Sequence, residues 1–530
     1  MREFNTTGGC NPCDHYMVDI SERLKEIKAL VDDGKYFCIN RARQYGKTTT
    51  LDALAEYLSN AYTVVSLDFQ DISGGVFENE GTFTQGLARL FLDACEFSGA
   101  EIPETFVTAF EKINEKEAAL VKMDEIFRIF RRWCKESEKK IILMIDEVDT
   151  ASNNQVFLDF LAQLRSGYLK RKTIPTFQSV ILAGVTDVKH LKAMIRPDGV
   201  HKENSPWNIA ADFTIDMSLS KPGIQGMLDA YEADHCTGMD TSKMATQLYK
   251  YTSGYPYLVS RICQLMDGPV RAKMGLSDAW TEQGMDEAVK LVLADGEDSL
   301  FGSLMSKLEN MPQLKGQLRD ILMKGKVISW QPDDQEQALL RMYGFIKNNQ
   351  NTVQVANRIF EMRLYQYFLG ESRNQKNDFF RSDAQLHKSI FINEDHSLNM
   401  PLILEHFIET EWRVHGETDD RFLEEEGRER FLTYLSPIIN GTGTYSVEEQ
   451  TRDQRRMDVV IHYLGHRYVV ELKIWRGPRY NEDGEKQIMD YLDYFGLTVG
   501  YMVSFNFNKN KKRGVERVSV GNKTLFEATV

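Results

Sequence analysis

The 530 residues, 42% of them hydrophobic, are enough for about three or four separately cored domains. No apolar run approaches the ~20 residues that span a bilayer, and Glu3 interrupts any leader-like stretch, so a membrane protein is excluded and a soluble cytoplasmic one expected. A net charge of −14 excludes a protein that coats long stretches of nucleic acid, while leaving room for local cationic patches.

Seven scattered cysteines, an odd number, argue for reduced thiols. Cys10-x-x-Cys13 has no second pair, and His15 does not complete a structural zinc site, so no zinc is expected. Tyr36 to Asn40 then reads as an apolar strand, Arg41 to Gly46 as a tight loop and Lys47-Thr-Thr-Thr-Leu as a helix start, the context a phosphate-binding loop demands. The loop Arg43, Gln44, Tyr45, Gly46 would cradle phosphate with its N–H groups. Lys47 would reach the β and γ oxygens, Thr48 would ligate Mg²⁺, and Thr49 would follow it into the helix. Arg41 stands where the motif's first glycine belongs.

Further on, Lys139-Lys-Ile-Ile-Leu-Met-Ile-Asp-Glu-Val-Asp149 is a charged edge and a buried strand ending in acids. An apolar strand with an acidic end is ordinarily only a strand leaving the core. After a Gly-Lys-Thr it reads as the second half of an ATPase site, with Asp146 holding Mg²⁺ through water and Glu147 polarising the attacking water. Phe177 to Asp187 is another buried strand with a polar tip. Residues 1–220 are thus expected to form an α/β P-loop core. Helical periodicity in Ile224-Gln-Gly-Met-Leu-Asp-Ala-Tyr and Met244-Ala-Thr-Gln-Leu-Tyr makes 221–292 a helical lid. Ser253-Gly-Tyr-Pro opens one of its helices, where glycine and proline could equally be ordinary helix punctuation. Over 293–370, short helices around Leu318 and Gln335 precede Phe345-Ile-Lys, an Asn-rich turn and Thr352-Val-Gln-Val, a winged-helix pattern; Lys324 and Lys326 are too few to decide whether it reads DNA or acts as a spacer. A polar linker fills 371–400, and the helix Leu402 to Trp412 opens a last domain over 401–530. The acidic run Glu417 to Glu429 reads as an exposed helix start, or as a shield over a site.

Two runs rich in β-branched and aromatic residues flank Gly465 and read as a β-hairpin. With the turn centred between Leu464 and Gly465, Asp458 and Glu471 sit opposite each other. Glu471 and Lys473 share a face, while Val470, Leu472 and Ile474 point into a core. Two carboxylates and an ammonium then converge, a set that can hold Mg²⁺ through hard oxygens and attack a phosphodiester with water. Arg452, Arg455 and Arg456 before this strand and Lys509 to Arg513 after a later one could contact phosphates or be solvated loops.

Asp458 with Glu471-x-Lys473 resembles the signature of the PD-(D/E)XK nuclease superfamily. Gln487 and Tyr491 in Lys486-Gln-Ile-Met-Asp-Tyr resemble the Gln-x-x-x-Tyr element of its RecB-like branch, on one helical face. The resemblance implies an extra carboxylate in the preceding helix, Glu429 or else Glu426, and Tyr501-Met-Val-Ser-Phe follows as a strand in the family's order. The first half, through Cys10-Asn-Pro-Cys-Asp-His-Tyr-Met-Val-Asp, Asn40-Arg-Ala-Arg-Gln-Tyr-Gly-Lys-Thr and Ser205-Pro-Trp-Asn-Ile-Ala, resembles bacterial AAA-like ATPases that often carry Arg at the first loop position and a C-terminal nuclease domain. That resemblance implies a γ-phosphate sensor at Thr186 or Asp187 and a lid sensor at Arg261; by position alone, Tyr16 and its neighbours could cover the adenine.

The expectation is an α/β multidomain enzyme: an AAA-like P-loop core with helical lid, a winged helix and a PD-(D/E)XK domain. It would use ATP and Mg²⁺, with Mn²⁺ as a substitute, and cut nucleic acid, DNA ahead of RNA, under control of the ATPase, in bacterial defence. The rivals are a signalling ATPase whose nuclease-like domain only binds nucleic acid, against which stand the intact Asp458, Glu471 and Lys473, and an ATP-switched scaffold, which would not need Glu147. Arg165 or Arg171 would serve as a trans-acting finger if the chain forms a homo-oligomeric ring, or else be surface charges.

Overall fold

The computed structural model describes residues 2–97, 102–152, 154–185, 207–296, 298–322, 326–371, 388–415, 424–439, 443–450, 456–475, 478–506 and 512–530. The chain divides into two compact units, one made of Met1–Gln264 with Gln331–Lys347 and the other of Leu265–Trp330 with Asn348–Val530.

The first unit is built on strands β1 (Phe37–Asn40), β2 (Thr63–Asp68), β3 (Ile141–Asp146) and β4 (Ser179–Gly184). They pair in parallel in the order β1-β4-β3-β2. All six residues of β3 are buried because helices cover both faces: Ile142 and Met144 pack with α1 (Ser21–Asp32) and α2 (Lys47–Leu58), and Leu143 and Ile145 pack on the other side. That other side carries α3 (Glu80–Phe97), α4 (Glu104–Asn114), α5 (Met123–Glu136) and α6 (Gln155–Leu169), joined by an aromatic cluster in which Phe91 lies 4.8 Å from Phe130. β2 is an edge strand and alternates buried with half-buried residues. Since all four strands are parallel, Asn40, Asp68, Asp146 and Gly184 end at one edge of the sheet, where open α/β sheets bind ligands. Three helices follow, α7 (Lys221–His235), α8 (Thr241–Thr252) and α9 (Pro256–Leu265).

The second unit contains α10 (Glu282–Ala294), α11 (Ser299–Asn310) and α12 (Pro312–Leu322). The chain then returns to the first unit for α13 (Gln335–Met342). Strands β5 (Ile346–Asn349) and β6 (Thr352–Val355) meet through Gln350 and Asn351, both with positive φ, and α14 (Arg358–Glu371) follows. After α15 (Met400–His415) and α16 (Glu424–Ile439) come β7 (Gly443–Gln450), β8 (Arg456–Tyr463), β9 (His466–Ile474), α17 (Pro478–Phe495), β10 (Val499–Phe505), β11 (Gly514–Val520) and β12 (Lys523–Thr529). The strands form one mixed sheet in the order β11-β12-β10-β9-β8-β7.

Leu464 and Gly465 both have positive φ, so β8 and β9 close through a two-residue turn. Pairs Tyr463↔His466 to Val459↔Val470 fix the register, whose next step sets Asp458 against Glu471. One sheet face, with Val460, Val469, Met502 and Leu525, packs on Ile488 and Tyr491 of α17. On the other, Phe505 lies 6.4 Å from Phe407 of α15. This corrects one detail of the strand reading: the face of β9 that carries Glu471 and Lys473 is covered as well, because α17 lies over it, and Val469 to Leu472 are all buried. Ile474, expected in the core, is only half-buried, although it still pairs with Phe505 of β10 at the end of β9.

Candidate nucleotide and nuclease sites

Gly46 ends the phosphate-loop segment in the left-handed region, φ 77°, and α2 starts at Lys47, so the helix's free N–H groups face the loop. Gln44 also has positive φ, 55°. Lys47 is buried and its ammonium donates to the carbonyls of Arg41 (3.2 Å) and Ala42 (3.1 Å). Burial pushes its pKa down, while Glu147, Asp149 and Asp146 pull it back up. Arg41 does not fill the cradle: its guanidinium turns back to donate to the carbonyls of Asn40 and Ile215 and lies 5.3 Å from the Phe213 ring. The Arg43 carbonyl accepts from the Tyr255 hydroxyl at the start of α9, and Tyr45 stands edge-on to Tyr255 at 4.7 Å. The N-terminal loop reaches the same place, with Cys10 N–H donating to Thr49 Oγ1 at 3.1 Å.

At the strand tips, Thr48 donates to Asp146 Oδ2 at 2.6 Å, and Glu147 N–H donates to Asp146 Oδ1 at 2.8 Å. Glu147 itself is held at φ 50°, a conformation a glutamate adopts only when its surroundings impose it. Burial raises its pKa, as do Asp146, Asp149 and Asp68, against the pull of Lys47. Asp68, paired in register with Asp146, and Asp52, one turn after Thr48 on α2, are raised too, in both cases by burial first. Neighbouring carboxylates that repel one another, of which Asp146 is buried and Glu147 and Asp68 half-buried, suit a divalent cation, and Thr48 beside Asp146 would offer the hydroxyl and water-holding acid for Mg²⁺. Among the described residues no group of three or more His, Cys, Asp or Glu stands close enough to cage a metal; a nucleotide-bound Mg²⁺ takes most of its ligands from phosphate and water instead. Bound there, Mg²⁺ would neutralise charge on the phosphates.

Two neighbours secure this edge. Asp149 accepts the Val185 N–H at 2.5 Å, tying the turn after β3 to the tip of β4. The sensor candidates Thr186 and Asp187 that continue β4 lie outside the described residues. Arg261, on α9, donates to Gln264 at 2.7 Å. Tyr16 is buried among Phe4 (5.0 Å), Tyr231 (5.2 Å) and Asp234, whose carboxylate accepts from its hydroxyl at 2.8 Å. Arg165 donates to Asn208 at 2.9 Å, and Arg171 stacks 3.7 Å from the Tyr168 ring.

In the second unit, Glu471 is fully buried on β9 and pairs with Lys473 at 2.9 Å. Lys473 Nζ reaches Gln487 Oε1 at 3.5 Å, and Gln487 donates to Tyr491 Oη at 2.7 Å. Positions from a strand and a helix therefore form one connected row, in which α17 fixes the lysine over the carboxylate. Asp458 joins through backbone register alone, and its side chain is not among the described ones. The donor set of Glu471 with Asp458 is hard oxygen, as Mg²⁺ or Mn²⁺ requires, and a cation held there would polarise a scissile phosphate. Glu429 lies on α16 and has Arg319 of α12 at 3.5 Å. Arg452, Arg455, Lys324 and Lys509 to Lys511 lie outside the described residues. Arg513, next to that run, stacks 3.3 Å from the half-exposed Trp412 ring.

Sequence reasoning passed over Tyr255, Asp68 and Asp52. Tyr255 stood within the Gly-Tyr-Pro helix start, and Asp68 ends an alternating strand pattern, a signal visible only once β2 is known to lie beside β3.

Fold and sites together define a P-loop ATPase core with a PD-(D/E)XK nuclease fold after it. The chain belongs to the AAA-like domain family, which matches residues 15–370, and residues 444–518 match the PD-(D/E)XK nuclease superfamily. No curated protein matches it. Among solved structures, the Walker-type ATPase of Pyrococcus abyssi is 15% identical, covers 68% of this chain and 99% of its own, and has a TM-score of 0.46. Cdc6p of Pyrobaculum aerophilum is 14% identical, over 70% of this chain and 98% of its own, at a TM-score of 0.33. The RuvB Holliday junction branch migration motor of Thermotoga maritima is 11% identical, over 66% and 95%, also at 0.33. These likenesses are too distant to carry function to this chain. Among the described residues no helix is long and apolar enough to cross a membrane.

Proposed function

We propose that the protein is an ATP-gated nuclease that cuts nucleic acid, DNA in preference to RNA, with Mg²⁺ or Mn²⁺. The observation that carries the reading is the row Glu471, Lys473, Gln487, Tyr491, in which four residues named from two separate sequence motifs make successive contacts. Asp458 and Glu471 hold the cation. Lys473 stabilises the charge that builds on the attacking oxygen and phosphate, and Gln487, braced by Tyr491, positions Lys473. Glu429 is the supplementary carboxylate. On the ATPase side, Lys47, Thr48 and Asp146 bind MgATP, Glu147 orients the attacking water, Thr186 senses the γ-phosphate and Arg261 answers from the lid.

Gating of the nuclease by nucleotide is motivated by the two domain families sharing one chain. The domains are 1–220 core, 221–292 lid, 293–370 winged helix, 371–400 linker and 401–530 nuclease, and the cellular role is defence against foreign DNA in the cytoplasm, by a homo-oligomer. The test is cleavage of linear, circular and single-stranded DNA and of RNA, with each cation, with and without ATP. Lys473→Ala should lower cleavage by about 10³-fold, and Lys47→Ala should remove its dependence on ATP. Cleavage that survives Lys473→Ala sinks the nuclease assignment, and unchanged ATP dependence in Lys47→Ala sinks the gate.

A further inference from the structure

The segment Gln331–Lys347 belongs to the ATPase unit although the chain on both sides of it belongs to the other. It touches the nucleotide site at several points. Gly344, at φ 82°, lies so close to the phosphate loop that a Cβ on it would stand 2.7 Å from the Ala42 Cβ and 3.9 Å from Tyr255 Cε2. Lys347 Nζ donates to Ser253 Oγ at 3.0 Å, at the turn that leads into α9. The buried Tyr343 is raised in pKa by burial and then by Asp149, the residue that ties the β3 turn to β4. The segment thus lies on two parts of one site, the phosphate loop and the turn at residues 253–255, with Tyr343 in the field of Asp149 near the acid-bearing strand tip.

We infer that Gln331–Lys347 is a nucleotide-sensing strap, which moves when the phosphate loop changes its bonding and carries that change along the chain into the unit that holds the nuclease fold. The inference rests on the ATP-binding reading and adds the element that responds. Its physical basis is the bonding of Lys47, whose ammonium donates to the Arg41 and Ala42 carbonyls. A β/γ-phosphate draws that ammonium to its own oxygens, because a doubly charged acceptor outcompetes neutral carbonyls. The two carbonyls lose their donor, and the loop readjusts at Ala42, where Gly344 leaves no space to absorb the shift. Tyr255, bonded to the Arg43 carbonyl and placed where a Cβ on Gly344 would meet its ring at 3.9 Å, moves with it. A side chain at 344 would both clash and disfavour the left-handed backbone, so glycine is required for the strap to seat.

Hydrogen–deuterium exchange of the full-length protein, with and without MgATP, tests this. The expected result is slower exchange, by about threefold or more, in peptides covering residues 335–347 as well as in those covering 47–58, with both effects lost in Lys47→Ala. Protection of 47–58 with none over 335–347 overturns the strap and leaves ATP binding standing. No protection in either region overturns the ATP reading itself, and the strap with it. Gly344→Val adds a second arm. With a wild-type circular dichroism spectrum, it should bind ATP about fivefold or more weakly, and unchanged affinity overturns the strap.

Discussion

The two sites are assembled by different routes. The nuclease row draws on one hairpin and one helix that are consecutive in the chain, β8, β9 and α17, so its geometry follows from a two-residue turn and a four-residue helical step. The nucleotide site gathers the N-terminal loop at Cys10, the phosphate loop, the ends of β2, β3 and β4, the hinge at Tyr255 and the returning segment at Gly344. A local site can be disabled by one side chain and repaired by its neighbour. A site spread over distant segments responds to changes far from its chemistry, which is what a gate requires.

The largest expected effect that sharpens this contrast is Glu147→Gln. Hydrolysis should fall by about 10³-fold while ATP still binds, since Lys47 and Thr48 are untouched. If nuclease activity with ATP persists in this variant, binding alone opens the gate; if it is lost, turnover is needed. A smaller effect belongs to Tyr491→Phe, which removes the acceptor for Gln487. Cleavage should drop by about tenfold through kcat, with unchanged affinity for substrate, as expected for a residue that positions another. Equal loss in Gln487→Ala and the double variant would confirm that the two act in series; additive losses would break the row. Smaller again, Tyr255→Phe takes the donor from the Arg43 carbonyl and should weaken ATP binding about fivefold without touching DNA cleavage by an ATP-independent assay.

The same contrast explains what could be read without coordinates. That Glu471 and Lys473 share one strand face, and that Gln487 and Tyr491, singled out by resemblance, share one helical face, was legible because strand alternation and helical spacing are local rules. Lys47, Thr48, Asp146 and Glu147 were legible as short motifs with a known mechanical purpose. The hidden contributors are those brought in by tertiary contact. Nothing in Asp68 or Gly344 announces that β2 pairs with β3, or that a piece of chain after residue 330 rejoins the first unit. The same holds for Arg41, which the sequence shows only as the residue in place of the motif's first glycine, whereas its bonds to the Asn40 and Ile215 carbonyls show a side chain that braces the loop from behind.

Asp68 gives the smallest and most discriminating of the measurements. Burial holds its carboxyl above the ordinary range against the Gln70 N–H that lowers it, and Asp146 and Asp71 add to the rise. Between the ordinary carboxylate value, about 3.9, and the raised one, the native state binds more protons than the unfolded state. Its contribution to stability therefore falls as pH rises through that window and stays unfavourable above it. Asp68→Asn removes the charge while keeping an oxygen for the Gln70 N–H, so without Mg²⁺ the variant should melt about 2 °C above wild type near pH 7.5. That gain should shrink as pH falls through the window, where the wild-type carboxyl takes up its proton, and vanish below it. MgATP should cancel the gain, because a cation beside Asp146 turns the Asp68 charge from a liability into a ligand-shell partner and stabilises the wild type more than the variant. A gain that persists unchanged in MgATP would place Asp68 outside the cation's field, a strand end only, and would restrict the site to Thr48 and Asp146.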